Sequence, residues 1–278
     1  MNDKFLIHHF PGQTEAAAAA GESLNQSLMM YKKQPVLLML SAGSAFKVLD
    51  YVSPGSLGKN LTISVLDERF TPSEKASNTN WYIDPLEVKK NSKNLRTQSG
   101  NKYGSLTGFS QNQQINNFLK LQQTQFYTDA LKANCNFLGT VPKNGESKEE
   151  LAKRWGDSLI KWRDEHPNGK IIATLGMGLD GHTAGIFPLP EDAEKFHQLF
   201  ESEDWIAAYE VGNKHQYKER ITTTLTFFKE INEGIVFVCG EDKREKFDAV
   251  ISRQGKLNEL PALGIYQIKT AQIFTDIK

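Results

Sequence analysis

The run IIATLGMGLDGHTAGIFPLP, residues 171–190, decides how the chain is read. Its first six residues, IIATLG (171–176), read as a strand. The residues after that strand have two readings. Gly176, Gly178 and Gly181 are spaced G-x-G-x-x-G, the fingerprint of a dinucleotide-binding turn. That turn needs a helix opening at its third glycine, so that a pyrophosphate meets the helix N-terminus. Here Gly181 leads into His182, and Gly185, Pro188 and Pro190 then deny any long helix. The acidic residue required about 20 positions on, closing a second strand, is not in place. The run is therefore a strand followed by a loop with its own chemistry.

In that reading each residue has a task. Glycines let the backbone turn sharply and leave N–H groups free to face an anion. Asp180 and His182 stand two apart on the turn, where both can face one pocket. Histidine titrates ordinarily near ~6.5, so it can take a proton from water at neutral pH. The other histidines, His8, His9, His166, His197 and His215, lack such a setting and read as structural or solvated.

Outward from this run, short apolar stretches alternate with amphipathic ones, the pattern of α/β layering. TEAAAAAGESLNQSLMMYKK (14–33) reads as a helix capped by Thr14, and PVLLML (35–40) as a buried parallel strand. The strand ends in SAGSAFKVLDYV, a small-residue turn into a helix. LTISVLD (61–67) is a second strand, ending in DERF. Residues 147–166 read as a helix with Ser147 and Glu150 spaced as a capping box. WIAAYEV (205–211) and GIVFVCG (234–240) are further strands, and AQIFTD (271–276) a final edge strand. Residues 241–255 read as a helix with an acidic first turn and a glycine stop. The segment 91–117, rich in Asn, Gln, Ser and Gly, has no apolar period and reads as a long surface loop or a lid.

No repeat or linker divides the chain, so residues 1–278 are expected to form one α/β domain with a polar insertion around 91–117. The expected fold is a Rossmann-like open, mainly parallel sheet flanked by helices in a three-layer sandwich. The clusters at 41–45, 67–70 and 176–183 fall where strands end, the position at which such sheets bind ligands.

Lys plus Arg and Asp plus Glu both number 33, so no net field draws nucleic acid or an anionic membrane. An anionic ligand must be held by a local cation cluster. Cys135 and Cys239 stand outside any metal-ligand spacing and read as reduced, small apolar residues. The N-terminus lacks the apolar core of a secretory signal, and no run approaches the roughly 18 apolar residues of a membrane span. A soluble cytoplasmic protein is expected. No second histidine supports a metal site, and no G-x-S-x-G elbow supports a serine hydrolase.

With its flanks, LGMGLDGHTAGIFP resembles the signature of the 6-phosphogluconolactonases, G-M-G-x-D-G-H-T-A-S-L-F-P. LSAGSAFKVL resembles their S-G-G-S-T loop, VLDERF their D-E-R box, ERITTTLTFF their R-I-T-L-T segment and VFVCGEDKREKF their late V-x-G-x-x-K helix start. The related glucosamine-6-phosphate deaminases share the D-G-H turn. They carry a glutamate five residues after the histidine, where this chain has Phe187, and D-E-Y in place of Asp67-Glu68-Arg69. Ala42 departs from a family glycine, Gly185 from a serine, and 91–117 is longer than usual.

The resemblance implies hydrolysis of 6-phospho-D-glucono-1,5-lactone to 6-phospho-D-gluconate. It implies no cofactor, no metal, and neither nucleic acid nor membrane as partner, in a cytoplasmic monomer or homodimer. A deaminase-like enzyme and a non-catalytic sugar-phosphate-binding protein are the alternatives. His182 would activate water, while Asp180 would orient the imidazole or bind a sugar hydroxyl. Asp67 would do the same or pair with Arg69. Arg69 and Arg220, with Lys214 or Lys218, would hold the phosphate, and Gly43 and Ser44 would add backbone N–H donors at a helix start.

Overall fold

The computed structural model describes residues 4–71, 116–212 and 216–278. Seven strands build its central sheet: β1 (Phe5–His9), β2 (Val36–Leu40), β3 (Leu61–Val65), β5 (Asn136–Phe137), β6 (Lys170–Gly176), β9 (Glu233–Phe237) and β10 (Thr270–Thr275). They lie in the order β1-β10-β9-β6-β2-β3-β5, with every neighbouring pair parallel. All five residues of β2 and of β3 are buried, because helices cover both faces of a parallel sheet. Helix Gln13–Met30 lays Ala16, Ala17, Ala20, Leu24 and Leu28, spaced at helical period, against β9 and β10.

The topology places a crevice. From β2 the chain moves outward to β3 and β5, then returns to β6 on the other side of β2 and proceeds to β9 and β10. Loops leaving the carboxyl ends of β2 and β6 therefore diverge, which is where open sheets take their ligands. The 3-10 helix Gly43–Tyr51 leaves β2, and the glycine-histidine loop leaves β6.

A second sheet, antiparallel and three-stranded, stands at that end: β4 (Asp67–Arg69), β8 (Glu219–Thr223) and β7 (Ile206–Glu210), in the order β4-β8-β7. The sequence alone reads residues 61–67 as one strand and sets 205–211 among the strands of a single sheet; the structure departs from both. Leu66 separates the two ladders. Its N–H donates to Leu40 O at 2.9 Å, while its carbonyl accepts from Thr223 N–H at 2.9 Å, so the chain changes partner within one residue.

Other expectations need correction. Segment 271–276 is no edge; β10 lies between β9 and β1, and β1 forms the edge. β1 escapes a sequence reading because its burial follows no period of two. Gly12, in extended backbone, is the N-cap of the first helix and Thr14 lies inside it. Residues 241–255 divide into a 3-10 turn, Glu241–Lys243, and a helix that ends at Ile251, short of Gly255. Helices Asn117–Gln122 and Gln125–Lys132 have no counterpart in the sequence reading. Of the segment 91–117 only 116 and 117 are described; Asn116 caps the first of those helices, accepting from Leu119 N–H, and the rest of the expected loop lies outside the described residues.

The capping box of helix Lys148–Glu165 is present, with Glu150 N–H on Ser147 Oγ and Ser147 N–H on Glu150 Oε2. Both cysteines are buried, and no disulfide joins them. Among the described residues, no helix is long and apolar enough to cross a membrane.

Candidate active site

Beyond β6 the chain folds back on itself. Gly181 N–H donates to Gly178 O at 3.1 Å and Gly178 N–H to His182 O at 2.9 Å. This brings Asp180 Oδ1 to 3.1 Å from His182 N and 2.5 Å from Nδ1. A carboxylate can only accept here, so the imidazole proton sits on Nδ1 and the lone pair on Nε2. Among the described residues Nε2 has no hydrogen-bond partner. The ring is about one-third exposed and stacks on Phe187 with centroids 4.3 Å apart. A Cβ on Gly178 would stand 2.1 Å from His182 Nδ1 and Cε1, so only glycine lets the ring lie over this backbone.

Burial works against the charge of Asp180. The hydrogen bond and charge of His182 outweigh it and hold the carboxyl below its ordinary range. A folded pKa below the unfolded one means that this contribution to stability is complete above about pH 4 and is lost as pH falls through the depressed value. Asp180→Asn is expected to lower Tm at neutral pH, with the gap from the parent narrowing below about pH 4. A gap that stays constant in thermal melts across that range would contradict the pairing.

Thr183 to Ile186 form a tight turn closed by Ile186 N–H on Thr183 O at 2.7 Å, with Ala184 at φ 47° and Gly185 at φ 76°. Two left-handed residues in a two-residue turn make it type I′. Alanine rarely adopts that conformation. The small sheet holds it: the Thr222 hydroxyl donates to Ala184 O, and the Tyr209 hydroxyl to Gly185 O. The turn thereby delivers Phe187 beneath His182.

The β4–β8 register sets Arg69 directly opposite Arg220 and Asp67 opposite Thr222. Directly opposite residues share a face, and like charges there repel. The repulsion is partly relieved. Arg220 Nη1 donates to Asp67 Oδ2 at 3.4 Å and Nε to Tyr217 O at 3.2 Å, while its guanidinium lies 5.0 Å from the Phe187 ring centre. Arg69 stacks over the Tyr217 ring at 4.2 Å, with its buried Nε unpartnered among the described residues. Burial, then the charge of Arg220, push Arg69 below its ordinary range. An arginine pair held this way is short of an anion. One aromatic ring, Phe187, lies against both the His182 imidazole and the Arg220 guanidinium.

Each expected residue has a place. Asp67 does not pair with Arg69 or reach the imidazole; its buried carboxylate takes Arg220 and, at 3.0 Å, Asn117 Nδ2, and Asp180 holds the imidazole instead. Gly43 has φ 70° with open space where a Cβ would stand, and Ser44 Oγ lies near Gly176, so this loop borders the histidine loop. Ala42 is extended at φ −80° and carries no left-handed strain. Lys218 is exposed and makes no ion pair among the described residues, and Lys214 lies outside them.

Tyr217, Asn117, Lys120, Tyr209 and Thr222 belong to the site without being singled out by the sequence. Only Thr222 carries a signal, standing two residues from Arg220 on one strand and hence on the same face. Glu68, on the opposite face, is fully buried; burial pushes it up to about 7 although backbone amides and a threonine hydroxyl favour its charge.

The family model described as glucosamine-6-phosphate isomerases/6-phosphogluconolactonase matches residues 111–274, more than half of the chain. A curated 6-phosphogluconolactonase of Neisseria meningitidis is 23% identical over 261 residues, 92% of each chain. The solved 6-phosphogluconolactonase of Trypanosoma brucei superposes with TM-score 0.66 at 14% identity, over 99% of this chain and 97% of that one. The Trypanosoma cruzi enzyme gives 0.63 at 15% identity, covering 99% and 96%. The family model's match, with the fold these structures share, shows that the chain belongs to the glucosamine-6-phosphate isomerase/6-phosphogluconolactonase family.

Proposed function

We propose that this protein hydrolyses 6-phospho-D-glucono-1,5-lactone to 6-phospho-D-gluconate, serving the oxidative pentose phosphate pathway in the cytoplasm without metal or cofactor. The observation that carries this reading is the His182 imidazole, held at Nδ1 by Asp180, with Nε2 unpartnered among the described residues, and joined through the Phe187 ring to the Arg220–Arg69 pair. It supplies a base at one end and an anion grip at the other.

His182 Nε2 takes a proton from water as the oxygen bonds to the lactone carbonyl carbon, and the carbonyl electron pair becomes an oxyanion. Collapse of that intermediate breaks the bond to the ring oxygen, which receives the proton back from the imidazolium. Asp180 holds the imidazole in the useful tautomer and stabilises its transient charge. The arginines hold the phosphate, for which their planar forks suit. The amides of Gly43 and Ser44, at the start of a helix beside the loop, offer further donors.

The test is a coupled assay on freshly generated lactone, corrected for spontaneous opening. Enzyme-dependent 6-phosphogluconate release well above the uncatalysed rate is expected, together with no ammonia from glucosamine 6-phosphate. Ammonia release without lactone opening would move the chain to the isomerase branch of its family.

A further inference from the structure

The outer edge of β4 is covered by helix Asn117–Gln122, from a part of the chain that the motifs leave unassigned. Two side chains fasten it. The Glu68 carboxylate accepts the N–H groups of Arg69 at 2.8 Å, Asn117 at 2.5 Å and Phe118 at 3.0 Å, and the Thr140 hydroxyl at 2.8 Å. Asn117 Nδ2 returns to the same strand, donating to Asp67 O and Oδ2 at 3.0 Å each. Residues three apart share a helix face, so the face that carries Asn117 to Asp67 also carries Lys120.

We propose that Lys120 is the third cation of the anion-gripping end of the site, acting with Arg69 and Arg220 on the substrate's phosphate. This rests on the lactonase reading for its ligand, though not for its geometry. Three positive side chains lie near enough here to act on one another's charge, and two carboxylates answer them. Glu68 is consumed by backbone amides and a hydroxyl; Asp67 is shared by Arg220 and Asn117. The Lys120 ammonium makes no ion pair among the described residues, yet Arg69 and Arg220 repel it while Glu68 and Asp67 attract it. Burial, then the charge of Arg69, push it below the ordinary lysine range. A chain does not gather three partly buried cations to its own advantage; a phosphate monoester carrying about −1.5 to −2 charges would balance them. The motif resemblance gives the lysine's part to Lys214 or Lys218, whereas the helix that carries Lys120 is held to Arg69's own strand by Glu68.

Calorimetric titration of 6-phosphogluconate into the parent protein, Lys120→Met, Lys120→Arg and Arg69→Ala tests this, alongside KM and kcat for the lactone. Loss of one charged contact to phosphate is expected to weaken binding about ten- to hundredfold in Lys120→Met. KM should rise more than kcat falls, Lys120→Arg should recover most of the affinity, and the ligand-free Lys120→Met protein should melt no lower than the parent. Parental affinity in Lys120→Met beside weakened binding in Arg69→Ala would overturn the inference. If the parent binds inorganic phosphate but neither binds 6-phosphogluconate nor opens the lactone, the substrate reading fails. Lys120 is then judged by the same comparison with inorganic phosphate.

Discussion

Replacing His182 with glutamine is expected to lower kcat for the lactone by about 10²–10⁴-fold, the usual contribution of a positioned general base. KM should change little, because the proposed phosphate grip, Arg69 on β4 and Arg220 on β8, does not include the imidazole. The variant should lose no more Tm than Asp180→Asn does, since the glutamine amide can still donate to Asp180 and the ring is partly exposed and lies outside the core. Glutamine keeps a polar group near Asp180 but cannot take a proton from water, so lost turnover separates chemistry from packing. Steady-state kinetics corrected for spontaneous opening decide the matter: turnover within a few-fold of the parent would remove His182 as the base.

Gly185→Ala should disrupt the site from the other side. At φ 76° an L side chain is strained, by about 1–2 kcal/mol. The added Cβ would meet Asp67 Cβ at 2.5 Å and Cγ at 2.8 Å, an overlap costing about 1–3 kcal/mol more. A Tm lower by on the order of 10 °C is expected. Activity should fall further than stability explains, because pushing Asp67 away releases Arg220. Serine, which the family signature carries here, should behave like alanine. Unchanged Tm and KM in either variant would show that the Gly185–Asp67 approach is not needed.

That glycine shows where reading the sequence runs out. As a letter, Gly185 is a departure from a motif. In the fold, it is the place where Asp67 crosses the turn, and two hydroxyls from β7 and β8 hold the carbonyls on either side. Ala42 reverses in the same way: it too departs from a family glycine, yet the left-handed residue is its neighbour Gly43. Along its own strand Asp67 looks like a partner for the arginine two positions on, and the structure gives it the arginine across the ladder.

What the residues alone settle is local. The apolar run before Gly176, the breakers after His182 and the two-residue spacing of Asp180 and His182 involve neighbours within a few positions, where turn chemistry and side-chain reach act directly. The apolar run of β2 likewise announces a strand buried on both faces. The pairing of Arg69 with Arg220, the switch of ladders at Leu66 and the helix that brings Lys120 alongside join positions about 50 to 150 residues apart. Those contacts are set by strand register and by which edges remain to be covered, and both are fixed only when the whole sheet closes its hydrogen bonds together.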